Sequence, residues 1–411
     1  MRPPATTAQK RRYAVVHLGA RLHYGAAVQL HRAGLLHALF TDAYAGAGSA
    51  LHPVLKVLKP WLSGRFAIRL QQRRADLPAS SVVAFNALGF RYSRALSRRP
   101  HPQVFAEFND EFGRSVASHR LFRSCDAVFG FCQSSTELFR AAKRQGKFCV
   151  LEQMIAPFPE FFRQLHSQNR EWKNWSREKT ADWNEAAWVA REREEWDLAD
   201  LIISPSPYVS ECLRDAGADG AKIREVPYGI SLPAETAVKT GPVGRPLHVL
   251  CAGKVDLRKG APYLIEAARA FGGEKLHVRF AGGIGLRPER VESAPAHVEF
   301  LGQVARSTMR DLYQWADVFV LPSTCEGSAT VIYEALSHGV PVVVTKNCGA
   351  PIQGGDAGIV LNELSVEELR GALSELIENP PVIARYSEAA LGRRADLSLE
   401  AYGQRLAAAV S

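Results

Sequence analysis

The chain has 411 residues, 46% hydrophobic and 23% charged, with a formal net charge of +9; that length suits two packed domains of roughly 200 residues better than one core. Its seven cysteines are odd in number and scattered, with no C-x-x-C pair, which argues against a disulfide framework and a zinc site. No run of about 18 apolar residues is present, and the opening MRPPATTAQKRRYAVVHLG carries bases without an apolar segment and cleavage site, so a cytoplasmic protein is expected.

The charge is uneven. From Met1 to Arg123 there are 19 Lys and Arg against five acids (Asp42, Asp76, Glu107, Asp110 and Glu111), a net +14, which leaves −5 for the rest. A basic face of this kind attracts anionic lipid head groups or phosphorylated acceptors, or is a solvated arginine-rich surface. Without a recognisable binding module the charge does not predict a nucleic-acid partner.

In chain order, strands alternate with helices, the pattern of a doubly wound parallel sheet. YAVVHLG (Tyr13 to Gly19), SVVAFNAL, AVFGFC, FCVLEQ and DLIISPS (Asp200 to Ser206) are short, apolar and closed by turn residues. Between Phe161 and Trp196 comes a charged helical stretch with five of the seven tryptophans. Packing is the first expectation for them, an acceptor platform or membrane-interface belt the alternative. Leu232 to Pro246, rich in Pro and Gly, reads as a linker. The alternation then restarts: LHVLCAGK, LHVRFAGG, HVEFLGQV, VFVLPS, PVVVTKN and AGIVLN are predicted strands, with helices at APYLIEAARAF, STMRDLYQWA, SATVIYEALSH and SVEELRGALSELIEN. The expected organisation is an amino-terminal α/β domain over 1–232, a linker over 233–246, a second α/β domain over 247–395, and a last helix in 396–411. In paired sheets of this kind ligands sit at the carboxyl ends of strands, across the cleft.

Two motifs in the second half point to chemistry. In TCEGSATVIYEALSHGVPVVVT, Glu326 precedes a helix that Ser328 is placed to cap and that Gly339 and Pro341 end; Glu334 lies inside it, on the face of Thr330 and away from the apolar stripe Val331, Ile332, Ala335 and Leu336. The free amides around Ser328, Ala329 and Thr330 would make an anion site. Carboxylates for hydroxyls beside amides for phosphate describe a sugar nucleotide; a capping acid and a surface glutamate are the simpler alternative. In CAGKVDLRKGAPYLIEAA, Lys254 ends a strand and Lys259 precedes a helix, so two ammonium groups could neutralise a diphosphate without a metal.

From Leu247 to about Glu378 the pieces AGKVDLRKG, FAGG, FLGQV, ADVFVLPSTCEGS, the E-x7-E pair, EALSHGVPVVVT and GGDAGIV resemble the donor-binding domain of the retaining family 4 (group 1) glycosyltransferases, which have the GT-B fold of two Rossmann-like domains facing across a cleft. The first half resembles them more weakly, through VVHLGARLHYG and ADLIISPSPYVSECL. The resemblance implies a retaining, metal-independent transferase using a nucleotide sugar, UDP- or GDP-linked, with no further cofactor, and a glycan or lipid-linked acceptor; the basic amino-terminal half separately predicts a peripheral contact with anionic membrane, at the inner face of the cytoplasmic membrane. It implies that Lys254 and Lys259 hold the diphosphate and that Glu326 contacts the donor sugar. Glu334 would bind the ribose, and Gly327, Ser328, Ala329 and Thr330 phosphate and sugar oxygens. Val304 would lie near the base, and Gly19, Gly253 and Gly282 would give close backbone approach.

One departure concerns the strand FCVLEQ, whose end carries a histidine in many relatives and Glu152 and Gln153 here. Acceptor-side candidates are Arg21, His23, Glu107, Asn109 and Asp110. A GT-B epimerase acting on the sugar nucleotide alone, or a non-catalytic partner in a glycan-assembly complex, are the alternative readings; the intact lysine and glutamate pairs count against the latter.

Overall fold

The computed structural model describes residues 10–49, 52, 73–99, 101–177, 184–352 and 355–411. In the amino-terminal half, β1 (Tyr13–His17), β2 (Leu36–Thr41), β3 (Val82–Ala84), β4 (Ala127–Phe131), β5 (Phe148–Glu152), β6 (Leu201–Ser204) and β7 (Ile223–Glu225) form a parallel sheet ordered β3-β2-β1-β4-β5-β6-β7. Side chains alternate across it: Tyr13 and Val15 enter one apolar cluster, Ala14 and Val16 the other.

The second half holds β8 (Leu247–Ala252), β9 (Leu276–Ala281), β10 (Val298–Gly302), β11 (Val318–Leu321), β12 (Val342–Thr345) and β13 (Gly358–Leu361), again parallel, ordered β10-β9-β8-β11-β12-β13. Strand order therefore reverses between β1 and β4 in one sheet and between β8 and β11 in the other. A doubly wound sheet binds ligands at such a switch point, in the crevice outside the strand ends.

All six strands expected in the second half are present. In the first half SVVAFNAL is strand only over Val82–Ala84, because this short edge strand is half-buried and Asn86 already opens the helix Asn86–Leu96. Two strands escaped the sequence reading. β2 follows the helix Gly25–Arg32 after only three residues, and β7 is three residues long with Arg224 and Glu225 exposed, so neither breaks the pattern visibly.

Among the described residues, several connections tie the halves together. The chain crosses once at Leu232–Pro246, where the Lys239 ammonium donates to the carbonyls of Tyr313 (3.0 Å) and Gln314 (2.6 Å). It returns beside that crossing, where Ile230 pairs in parallel with Ser398. The last helix, Leu399–Val410, capped by the Ser398 hydroxyl accepting from the Ala401 amide, then packs on the amino-terminal domain, and the Tyr13 hydroxyl donates to the Val410 carbonyl (2.5 Å).

Another connection comes from the tryptophan-rich stretch. After the helix Phe158–Glu171, Ser176 bridges Leu286 of the second domain in antiparallel fashion, and Trp172 packs edge-on against Tyr263, ring centres 4.8 Å apart. Trp175 and Trp196 are buried, and Trp188 stacks on Phe105; Trp183 lies outside the described residues. These four tryptophans pack within the protein.

Candidate active site

The loops that follow β8 and β11 leave the switch point of the second sheet and meet each other. After β8 the backbone turns through Gly253, with φ +123°, and Lys254 extends 3.6 Å from Asp256 Oδ2. Asp256 also accepts the Lys259 amide (3.0 Å), so one carboxylate organises both lysines of the loop. At Gly260, φ +69°, a side chain would stand 1.9 Å from the Pro322 carbonyl; only glycine lets the helix Ala261–Ala268 start this close to the end of β11.

Glu326 lies at the centre. Its side chain is 11% exposed, and Oε1 takes the Lys259 ammonium at 2.7 Å together with Nη1 of Arg258. Burial pushes its carboxyl up, but Arg258 and Lys259 outweigh that and hold it below the ordinary carboxylate range. Its backbone is fixed too: the amide donates to the Asn347 carbonyl (3.0 Å), and its carbonyl accepts from Ala156 of the amino-terminal domain (3.3 Å). At Gly327 a Cβ would stand 2.0 Å from the Met154 carbonyl, and the Ser206 hydroxyl donates to the Gly327 carbonyl (2.6 Å). The loop bearing Glu326 is thus clasped by both domains, with Cys325 buried in the amino-terminal core.

The helix Thr330–Ser337 begins two residues after Ser328, and Ser328 does not cap it. The Ser328 hydroxyl instead pairs with the Tyr333 hydroxyl (2.7 Å) and donates to the Gly349 carbonyl (3.0 Å), while Ala329 takes the cap position without a side-chain bond. The Ala329 amide is committed to Cys348 (3.1 Å), so the expected four-amide anion site is reduced there. The first amides of the helix still lack intrahelical acceptors. Glu334, one turn on, accepts from the Tyr313 hydroxyl (3.0 Å), whose ring stacks on His338. Burial raises the Tyr313 hydroxyl far above its usual range, with the Glu334 carboxylate pushing the same way, so Tyr313 stays a donor.

Of the other candidates, Gly282 (φ +156°) brings its Cα to the Gly253 carbonyl, where a Cβ would be 1.7 Å away, so these two glycines pack β9 against β8. Val304 is half-buried in the turn after β10. On the facing domain Gly19 (φ +128°) donates its amide to Asp42 Oδ1 (2.9 Å). Beyond it Leu22, His23 and Tyr24 run consecutively through the left-handed region, a strained turn at the end of β1; the Arg21 side chain lies outside what the structure describes.

Glu107 and Asp110 sit on the helix His101–Ser118 in ion pairs with Arg99 (2.8 Å) and Arg114 (2.5 Å), and buried Asn109 points to the Gln133 carbonyl at 3.5 Å. At the end of β5, Glu152 accepts from the Tyr228 hydroxyl (2.7 Å), and Gln153 is held between Glu192 (2.8 Å) and the Trp196 indole (3.1 Å).

Sequence reasoning missed Arg258, Asp256 and Tyr313. The first two lie within the quoted VDLRKG run, but charge pattern alone did not separate them from surface residues. Tyr313 is brought to Glu334 only by the packing of its helix.

Residues 246–379 match the family model described as glycosyl transferases group 1. The putative colanic acid biosynthesis glycosyltransferase WcaL of Salmonella typhimurium is 26% identical over 191 residues, 43% of this chain and 47% of that protein. D-inositol 3-phosphate glycosyltransferase of Corynebacterium aurimucosum is 28% identical over 188 residues, covering 40% and 43%. The chain spans about half the length of the curated relatives it matches.

In three dimensions the likeness extends over both domains. Anabaena HepE in complex with UDP-glucose superposes with a TM-score of 0.61 at 15% identity, over 97% of this chain and 98% of that one. WaaG, a glycosyltransferase involved in lipopolysaccharide biosynthesis, does so with 0.63 at 16%, over 97% and 99%. The described residues have the two-domain GT-B fold, and the second domain is matched over 246–379 by the group 1 glycosyl transferase family.

Proposed function

We propose that this protein transfers a sugar from a nucleotide-activated donor to an acceptor hydroxyl, with retention at the anomeric carbon, in the assembly of a polysaccharide, lipid-linked glycan or glycolipid. The observation that carries this reading is the buried Glu326 carboxylate gripped by Arg258 and Lys259 between the ends of β8 and β11, with Lys254 alongside. UDP and UDP-glucose bind to the structural neighbour HepE, which supports a UDP-linked donor.

In this reading the diphosphate lies between Lys254 and Lys259, near the start of the helix Thr330–Ser337. Breaking the bond from the anomeric carbon to the β-phosphate oxygen puts negative charge on that oxygen, and cations already in place stabilise it more than they stabilise the bound donor. The acceptor oxygen bonds to the anomeric carbon from the same face, its proton passes to the departing phosphate, and the nucleoside diphosphate leaves. Glu326 orients the sugar by accepting its hydroxyls, and Glu334, steadied by Tyr313, accepts those of the ribose. The basic amino-terminal domain docks on anionic membrane and brings the cleft to its acceptor.

Release of nucleoside diphosphate from UDP-glucose and other UDP- and GDP-sugars, followed for wild type, Lys259→Ala and Glu326→Gln, tests the reading. At least one donor should turn over, and each substitution should slow it by about 100-fold or more while the fold persists. Undiminished turnover in both variants overturns the site; failure of every donor to bind or react overturns the function.

A further inference from the structure

Arg258 lies on the loop between Lys254 and Lys259, fixed by contacts that need no ligand. Its carbonyl accepts from the Thr324 amide (2.8 Å) and hydroxyl (3.2 Å), and its Nη1 donates to the Cys325 carbonyl (2.9 Å) as well as to Glu326 Oε1. Lys259 reaches the same Oε1 at 2.7 Å, so one carboxylate oxygen is shared by two cations.

This sharing matters once a diphosphate arrives. Lys259 then has two anions to serve, and without Arg258 a buried carboxylate that Lys259 left would stand uncompensated, which is strongly unfavourable. Lys254, Arg258 and Lys259 against Asp256 and Glu326 give the cluster three positive and two negative groups; without Arg258 the two sides are equal. A guanidinium held to both the Cys325 carbonyl and Glu326, on a backbone that Thr324 fixes, is suited to remain on Glu326 while the more flexible ammonium moves.

We propose that Arg258 is a positioning residue which keeps Glu326 ionised and in place, and so releases the Lys259 ammonium from Glu326 to the diphosphate of a nucleotide ligand. This rests on the reading of Lys259 as a diphosphate ligand given above. It predicts a coupling, because removing Arg258 makes Glu326 compete harder for Lys259, whereas removing Glu326 leaves nothing to compete.

Calorimetric titration of UDP, with GDP and ADP alongside, into wild type, Arg258→Gln, Arg258→Lys, Glu326→Gln, the Arg258→Gln/Glu326→Gln double variant and Lys259→Ala tests this. Lys259→Ala should abolish most of the binding. Arg258→Gln should weaken UDP about tenfold, equivalent to about 1.4 kcal/mol, Arg258→Lys should restore most of that, and Glu326→Gln should bind at least as tightly as wild type. In the Glu326→Gln background, Arg258→Gln should change affinity by less than about twofold. An equal loss in both backgrounds would mean that Arg258 acts only as a distant charge, and no loss in either would remove its role; both overturn the proposal while leaving the Lys259 assignment standing. Wild-type binding by Lys259→Ala, or no binding of any of the three nucleotides by wild type, overturns the functional reading and the proposal with it. If Arg258→Gln does not fold, Arg258→Met takes its place in both backgrounds, with the same outcomes expected.

Discussion

A single buried carboxylate connects the electrostatics of this protein to its stability. Glu326 has a folded pKa held below its unfolded value by Arg258 and Lys259, so its pairing stabilises the fold above the ordinary carboxylate range. As pH falls from about 4.5, the reference for the unfolded chain, proton uptake by the unfolded state removes that contribution, which is gone once pH passes the folded pKa. Urea unfolding of wild type and Glu326→Gln should therefore give a stability difference that shrinks steadily as pH is lowered from 6 toward 3. A pH-independent difference would show that Glu326 carries no such linkage. Gly327 next to it illustrates a different constraint: the Met154 carbonyl 2.0 Å from the missing Cβ makes glycine the only residue that lets the two domains close on this loop.

Among the secondary elements, the helix Glu185–Leu198 does unusual work with two acids three residues apart. Glu195 accepts from the amides of Gln133 (2.6 Å), Ser135 (2.7 Å) and Thr136 (3.1 Å) at the start of the helix Thr136–Arg144, and Glu192 accepts from Phe158 (2.6 Å) at the start of the helix Phe158–Glu171. Burial pushes both carboxyls up to about 7, against the pull of these donors. Glu195→Ala strands three donors in a closed interior and should cost about 2–4 kcal/mol in urea unfolding, with Glu195→Gln recovering part of it. A loss below about 0.5 kcal/mol would mean that water replaces the carboxylate. This arrangement was not legible in the sequence, where Glu192 and Glu195 sit in AREREEW and look like a solvated charged face. The second domain was legible because its strands are short, mostly apolar runs, several of them closed by Gly or Pro, and because Lys254 directly follows one such run while Lys259, Glu326 and Glu334 lie at or in the helices that come next. Ser328 misled for a local reason: its spacing suits a cap, yet Tyr333 and Gly349 claim its hydroxyl.

For the whole molecule, the uneven charge finds a surface. On the helix Asn86–Leu96, Ala87, Phe90, Arg91 and Arg94 are exposed at three- and four-residue spacing, Arg98 and Arg99 continue the exposed face, and Phe90 is 61% exposed. An apolar ring beside guanidinium groups, on a domain with net charge +14 over its first 123 residues, matches an anionic bilayer surface. None of the described helices is long and apolar enough to cross a membrane, so the proposed contact is one that salt should reverse. Sedimentation with vesicles containing phosphatidylserine should show binding at low salt that weakens as salt rises toward 0.5 M. Arg94→Glu/Arg98→Glu should lower affinity by about tenfold or more, since each basic residue near such a surface contributes about 1 kcal/mol and reversal adds repulsion. Phe90→Asp should lower it further. Equal binding to neutral phosphatidylcholine vesicles, or none to anionic ones, would leave this face as solvated surface, and the acceptor would then have to reach the cleft from solution.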